Sequence, residues 1–367
     1  MRILVALGDD RGQAYWRNIM PLSRLPEHTV LFTDTISRAM FRSADLVFMS
    51  RVSTPEMLDL LKELRKAGKP VVVDFDDNLH QHQHNPEAQG VYSTGKWGTK
   101  IFEEALPLPS VVTCSTRRLA SEYAKWRPDI EVVENFIPDA LFERLSPAEI
   151  TGAPKREGEM RVGYAGSSTH GGDLALVARP LRKLCAKYPQ VRLVFFGQEP
   201  PTSLSAVPWE YVPYIDPYPG EQMFAFMDRY FDALKALELD VAIAPLVPNI
   251  FNQSKSSLKI MEYGSCGWPV VASSVGPYRE YRDRNQMGIL TAYDEKEWLT
   301  MLSLLVEDDW RRAEMARRNH DYIREHHTSA VGLAAWRGII ELAGKERSSG
   351  EGFKLGGISR VPSLPIR

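Results

Sequence analysis

The feature that most constrains this chain is a series of short, continuously apolar, β-branched runs at residues 3–7, 29–32, 46–49, 71–75 and 111–114. A strand with one wet face alternates polar and apolar side chains. Runs that do not alternate belong to strands covered on both faces, as in parallel sheets flanked by helices. Between two of these runs, residues 55–67 (PEMLDLLKELRKA) place Met57, Leu60, Leu61 and Leu64 on one helical face, with Thr54 as N-cap and Gly68 beyond the end. Strand, helix, strand in that order is a βαβ unit with a right-handed crossover.

The pattern breaks over residues 146–159 (SPAEITGAPKREGE), which are polar, contain Pro and Gly and show no apolar period. A second series of buried runs follows at 161–165, 191–196, 240–244, 270–272 and 288–291. A chain of 367 residues also exceeds what one hydrophobic core usually holds. The expected fold class is therefore α/β, two doubly wound Rossmann-like domains facing across a cleft. The expected boundaries are 1–150 for the first domain, 151–159 for the linker and 160–328 for the second domain. A C-terminal helix over 329–345 is expected to pack back on the first domain, and the Gly/Ser/Pro-rich tail 346–367 to be mobile. Open α/β sheets bind ligands at the carboxyl ends of their strands, which puts the functional site in the cleft.

Composition narrows the function classes. With 45 basic and 47 acidic side chains, a formal net charge of −2 and 44% apolar residues, the chain is neither disordered nor built mainly for non-specific nucleic-acid binding. Arg38, Arg42 and Arg51 form a loose basic stretch without an aromatic platform around it. The three cysteines, Cys114, Cys185 and Cys266, are far apart and lack any CxxC spacing, which supports neither a disulfide framework nor a zinc ribbon. A reducing cytoplasm is the expected location, with no transmembrane segment, because no apolar run is long enough to span a bilayer.

Residues 240–276 (DVAIAPLVPNIFNQSKSSLKIMEYGSCGWPVVASSVG) carry the strongest chemical signal. A strand ends at Pro245, a loop follows, and a helix is expected to start near Ser254 as N-cap, with Gly264 and Gly267 closing it. Lys255, Lys259 and Glu262 then stand at i, i+4 and i+7 on a polar face, with Leu258, Ile260 and Met261 on the opposite arc. A helix N-terminus with Ser256, Ser257 and two lysines makes a diphosphate site, and Glu262 suits a ribose or sugar hydroxyl. The competing reading is a solvated face with ordinary i+3 and i+4 pairing.

The stretch NQSKSSLKIMEYGSCGWPVVASSVGPY resembles the donor-binding segment of retaining GT-B glycosyltransferases of the group 1, family 4 kind, in a bacterial and phage branch. Further motifs fit: VGYAGSSTHGGDLALV from residue 162, GKPVVVDFDDNLH at 68–80, VVTCSTRRLASEY at 111–123 and VVENFIPDALF at 132–142. The resemblance implies that Lys255, Ser256 and Lys259 bind the donor diphosphate and that Glu262 binds the ribose. It also implies that Gly166, Ser167 and Ser168 contact phosphate or the transferring sugar. Gly197 and Gln198, ending a strand, are expected to line the nucleoside pocket. The wider family has Glu-x7-Glu, and Ser254 stands at the first of these positions, with Asn252 or Gln253 as its substitute on the donor sugar. Two lysines and a helix dipole oppose the charge on the leaving diphosphate, with Lys255 counted in the catalytic set; no cofactor is required and a divalent metal is not expected.

A second cluster, residues 74–84 (DFDDNLHQHQH), sets three carboxylates and three histidines past a buried strand. Taken alone, Asp-x-Asp-Asp resembles the metal motif of GT-A glycosyltransferases, and His80, His82 and His84 are metal-ligand types, yet an i, i+2 spacing in a loop fixes no geometry. The alternatives are an Asp cap over a surface run, or use in the cleft. The resemblance places this loop on the acceptor side, with Asp77 and His80 orienting the acceptor hydroxyl and Asp76 beside them. Arg11, Tyr15 and Arg17, after the first strand, are expected to read the acceptor. Front-face attack with retention needs no protein nucleophile, since the departing phosphate can take the acceptor proton. The expected activity is hexose transfer from a nucleoside-diphosphate sugar, such as a UDP-sugar, to a saccharide, lipid-linked glycan or hydroxymethylpyrimidine in DNA. The alternatives are a nucleotide-sugar epimerase and an inert sugar-nucleotide binder.

Overall fold

Every position of six strands, three in each half of the chain, is buried, and these strands form the centres of two wholly parallel sheets. The computed structural model describes residues 1–7, 11–33, 38–84, 95–145, 147–167, 169–218, 221–285 and 288–349. The first sheet comprises β1 (Arg2–Ala6), β2 (Thr29–Thr33), β3 (Leu46–Ser50), β4 (Val71–Phe75), β5 (Val111–Cys114) and β6 (Glu131–Val132) in the order β2-β1-β3-β4-β5-β6. The second comprises β7 (Met160–Ala165), β8 (Val191–Phe196), β9 (Trp209–Val212), β10 (Val241–Ala244), β11 (Val270–Ser273) and β12 (Leu290–Ala292) in the order β12-β11-β10-β7-β8-β9. Strand order reverses between β1 and β3 in one sheet and between β7 and β10 in the other, and each reversal opens a crevice at the carboxyl ends. Two strands escape the sequence pattern: β6 has two residues, and β9 (WEYV) is a half-exposed edge strand interrupted by Glu210.

Local signals act as expected in the first domain. The Thr54 hydroxyl accepts from the Met57 amide at 3.3 Å and opens the helix Pro55–Lys66, and Gly68 leaves it at φ 66°. Leu58 joins Leu61 and Leu64 as its fully buried residues, while Met57 and Leu60 pack partly buried against the same core. The linker is docked, not loose. Arg312 donates to the Gly152 carbonyl at 2.8 Å, the Lys155 amide donates to Asp240 at 2.8 Å, and an added Cβ at Gly152 would collide with the Asp309 carbonyl.

The C-terminal helix, Ser329–Ser349, lies against the first domain. Trp336 packs on Phe48 with ring centroids 5.9 Å apart, Arg337 pairs with Glu27 at 2.7 Å, and Gly332 sits so close to the Phe136 ring that a side chain there would overlap it. The helix runs four residues beyond the expected end at 345; residues 350–367 of the expected tail lie outside the described residues.

Tyr15 and Arg17, expected in the cleft, are each 1% exposed and belong to the interior. They lie on a π-helical turn, Tyr15–Ile19, that follows the one-turn helix Arg11–Ala14. Tyr15 packs edge-on against Phe224 at 5.9 Å, and Trp16 meets Phe231 at 6.2 Å, so aromatic rings from both domains share one apolar core. Arg17 forms a two-point pair with Asp74 at 2.9 and 2.7 Å and donates to the Val133 carbonyl at 2.6 Å and the Asn135 side chain at 2.8 Å. The side chain is spent on the fold, which corrects its reading as an acceptor contact. Arg17→Ala leaves Asp74 charged and unpaired in the interior; the expected loss is about 3–5 kcal/mol of unfolding free energy, measured by chemical denaturation.

Candidate active site at the sheet crevices

Where β7 ends, its backbone is gripped from the side. Lys259 donates to the Ala165 carbonyl at 2.6 Å and lies 4.4 Å above the Tyr164 ring, and the Tyr263 hydroxyl donates to the same carbonyl at 2.8 Å. The next residue, Gly166, has no room for a side chain: a Cβ would lie 2.5 Å from both the Lys259 ammonium and the Tyr164 hydroxyl. Gly197, leaving β8 at φ 78°, packs against the Gly166 carbonyl, so two glycines bring the ends of β7 and β8 into backbone contact. Gln198 accepts from the His170 amide at 3.1 Å and holds the loop after β7 over this floor. Ser167 shares a hydrogen bond with Thr169 at 3.1 Å, whereas Ser168 lies outside the described residues.

The lysine-bearing segment is two helices, not one. A short helix, Ile250–Gln253, is capped by Asn249, whose side chain accepts from the Asn252 amide at 2.8 Å. Ser254 is its C-cap, and the second helix, Leu258–Ser265, begins after a non-helical link that holds Lys255 and Ser256. The expected single helical face of Lys255, Lys259 and Glu262 is thus broken at Lys255, which lies 5.0 Å over the Phe251 ring. Ser254 is a stop, because Asn249 already supplies the start. Gly267, at φ 72°, follows the second helix, while Gly264 lies inside it and lets Asn319 and Ile323 approach.

Burial sets the electrostatics. Glu262 is 8% exposed and accepts from the Tyr230 hydroxyl at 3.1 Å; loss of water raises its pKa to about 7, partly offset by Lys259. The same desolvation lowers Lys259 to about 8, against the opposing pull of Glu262. One residue pair was not singled out from sequence. His170 Nδ1 lies 2.8 Å from Asp173, whose other oxygen accepts from the Val247 amide at 2.7 Å and the Asn252 side chain at 3.2 Å. Burial first, then the charges of Lys255 and Lys259, hold the His170 pKa down at about 4, against the opposing pull of Asp173. The available signal was His-x-x-Asp directly after the glycine-containing turn, with its partners more than seventy residues away.

Among the described residues, three hydrogen bonds tie residues 254–256 to the first domain. Asn78, fully buried, donates to the Ser254 hydroxyl at 3.2 Å; Thr116 donates to the Ser254 carbonyl at 2.9 Å; Asn135 donates to the Ser256 hydroxyl at 2.9 Å. On the first domain's side, Arg51 ends β3 at φ 40°, a strained geometry for a residue with a side chain. It donates to Asp76 at 3.0 and 2.8 Å and reaches Asp77 at 3.4 Å. Asp76 and Asp77 are therefore parts of an ion-pair cluster. His80 turns from it, edge-on to Trp126 at 4.7 Å and 4.0 Å from Glu103. Among the described residues no group of three His, Cys, Asp or Glu side chains is placed to hold a metal ion. Nor, among them, is any helix long and apolar enough to cross a membrane.

Residues 176–337 match the family described as glycosyl transferase-like. No curated protein matches the chain. Among solved structures, Alr3699/HepE of Anabaena in complex with UDP shares 14% identity over 93% of this chain and 99% of its own, with a TM-score of 0.64. A glycosyltransferase from Rickettsia africae ESF-5 shares 11% over 95% of this chain and 99% of its own, with a TM-score of 0.59. A UDP-forming α,α-trehalose-phosphate synthase from Burkholderia xenovorans shares 13% over 84% and 75%, with a TM-score of 0.53. The fold is that of two Rossmann-like domains facing each other, as in GT-B glycosyltransferases, and within it residues 176–337 are glycosyl transferase-like.

Gly197 offers a test of the floor. Gly197→Ala combines positive φ with a collision against the Gly166 backbone, whereas Gly158→Ala, at φ 71°, meets open space. Gly197→Ala should lower unfolding free energy by about 1–3 kcal/mol, and by more than Gly158→Ala, in parallel denaturation curves.

Proposed function

We propose that the chain is a retaining GT-B glycosyltransferase that moves a hexose from a nucleoside-diphosphate sugar to an acceptor hydroxyl. The observation that carries this reading is the placement of Lys259 on the Ala165 carbonyl, at the carboxyl end of β7, beside the β7/β10 crossover. Lys255 and Ser256 lie in the link just before the same helix. Such crevices take phosphorylated ligands, and two cations facing a departing diphosphate stabilise charge that grows in the transition state. The Alr3699/HepE structures in complex with UDP and with UDP-glucose favour a UDP-sugar as donor. Retention of configuration rests on the resemblance of residues 252–278 to family 4.

In this reading Lys255, Ser256 and Lys259 hold the diphosphate, and Glu262 receives a ribose hydroxyl. Gly166, Ser167 and Ser168 approach phosphate and sugar by backbone and hydroxyl, and Gly197, Gln198 and Asn252 complete the donor pocket. Across the cleft, the Arg51, Asp76 and Asp77 cluster, with His80 behind it, forms the acceptor side. The departing phosphate oxygen takes the proton of the attacking hydroxyl. The acceptor is a saccharide or a hydroxymethylpyrimidine in DNA.

Acceptor-dependent release of nucleoside diphosphate, measured over a panel of nucleotide sugars against pooled glycans and against hydroxymethylpyrimidine DNA, tests the reading. Release with one pair is expected; binding without release under every pair overturns it. Lys255→Ala and Lys259→Ala should each cut turnover about 100-fold with an unchanged melting temperature.

A pH test follows from Lys259. The protonated form binds the anion, and bound diphosphate raises the lysine's pKa above its free value of about 8. Nucleotide affinity is therefore full below pH 8 and falls as pH rises through it, by up to about tenfold per unit. Titration calorimetry should show this fall in the wild type and not in Lys259→Arg, whose guanidinium stays charged.

A further inference from the structure

The wider family's first glutamate has Ser254 in its place here, and the structure shows what Ser254 does instead. Its hydroxyl donates to the Ile250 carbonyl at 3.1 Å and accepts from Asn78 of the facing domain, and the residue is fully buried. Of the two expected substitutes, Asn252 spends its NH2 group on Asp173 and on the Val247 carbonyl at 2.9 Å.

One polar side chain beside the lysines is fixed by neighbours yet keeps an atom to spare. His170 is held at Nδ1 by Asp173, and Asp173 is itself held by the Val247 amide and by Asn252. A carboxylate only accepts, so the shared proton sits on Nδ1 and the lone pair lies on Nε2. Nε2 makes no hydrogen bond among the described residues. His170 and Lys259 flank the same Tyr164 ring, with the imidazole centroid 6.1 Å and the ammonium 4.4 Å from its centre.

We infer that His170, oriented by Asp173, accepts a hydrogen bond from a hydroxyl of the sugar carried by the donor nucleotide. A neutral ring with an unused lone pair on Nε2 repels phosphate oxygens and suits a hydroxyl donor. Burial and the two lysine charges keep the ring in that neutral form. Sugar recognition thereby passes from residue 254 to the loop after β7, and Asp173 serves as a positioning residue that acts through His170. The inference rests on the donor-site reading above.

Calorimetry with UDP and with UDP-glucose separates the two. UDP binding to the wild type is read first; its absence removes the donor-site reading itself, and this inference with it. With UDP bound, His170→Ala should leave UDP affinity within about twofold and weaken UDP-glucose about tenfold. Asp173→Asn should show the same selective loss, and His170→Gln, which offers an amide oxygen at similar reach, should recover part of it. One monodeoxy UDP-glucose should bind wild type and His170→Ala equally, naming the hydroxyl. Equal weakening of UDP and UDP-glucose, or no weakening of either in a folded His170→Ala, overturns the assignment.

Discussion

The guanidinium of Arg17 ties together segments of the first domain that lie far apart in sequence. Two of its donors go to Asp74 at the end of β4, where Thr113 adds a third bond at 2.6 Å, and another serves both Val133 and Asn135 just past β6. Trp336 from the C-terminal helix covers it at 5.3 Å. A buried ion pair gives little net stability over an apolar replacement of equal volume, so its value lies in register: the pair meets its bonds in one arrangement of these elements. The consequence reaches the cleft. Because Asn135 Oδ1 accepts from Arg17, its NH2 group must face the other way, and there it meets Ser256. The interior of one domain thus sets the position of the link that carries Lys255 in the other.

The parallel sheets were legible because strands buried on both faces leave continuous apolar runs, and Val71–Phe75 and Val191–Phe196 appear where those runs stand. Short edge strands leave no such mark, which is why Glu131–Val132 and Trp209–Val212 went unseen. The lysine-bearing segment, expected as one helix, is two. Ser254 is a good cap by type, but Asn249 starts the chain's turn five residues earlier, and local sequence does not say which of two competent caps is used. Tyr15 and Arg17 were misplaced for the opposite reason: aromatic and cationic side chains after a strand end suit a ligand, and only the arrival of Asp74, Asn135 and Phe224 from distant segments turns them inward. His170 and Asp173 are the same case reversed, since their fixing partners Val247 and Asn252 come from another loop.

The two sides of the cleft handle charge differently. Buried Arg51 pairs with the half-buried Asp76 and Asp77, one cation between two carboxylates, from a backbone at positive φ. On the other side Glu262 is buried and Lys259 half-buried. Glu262 takes its hydrogen bond from Tyr230, and Lys259 gives its own to a backbone carbonyl, so burial outweighs their mutual attraction in both.

That imbalance argues for the direction of binding. A lysine kept only for stability would gain most from direct contact with a carboxylate, since an isolated buried ammonium is costly. Here the ammonium is held over the Tyr164 ring and against Ala165 at a turn where Gly166 leaves no side chain, next to the point where strand order reverses. An anion arriving there restores the charge balance that burial has disturbed and returns the lysine toward its ordinary pKa. The free energy so recovered is largest for a group carrying two or more negative charges, and smallest for a neutral sugar. In the proposed reading the lysines select the phosphates, which leaves discrimination among sugars to uncharged acceptors and donors around them, the imidazole of His170 first.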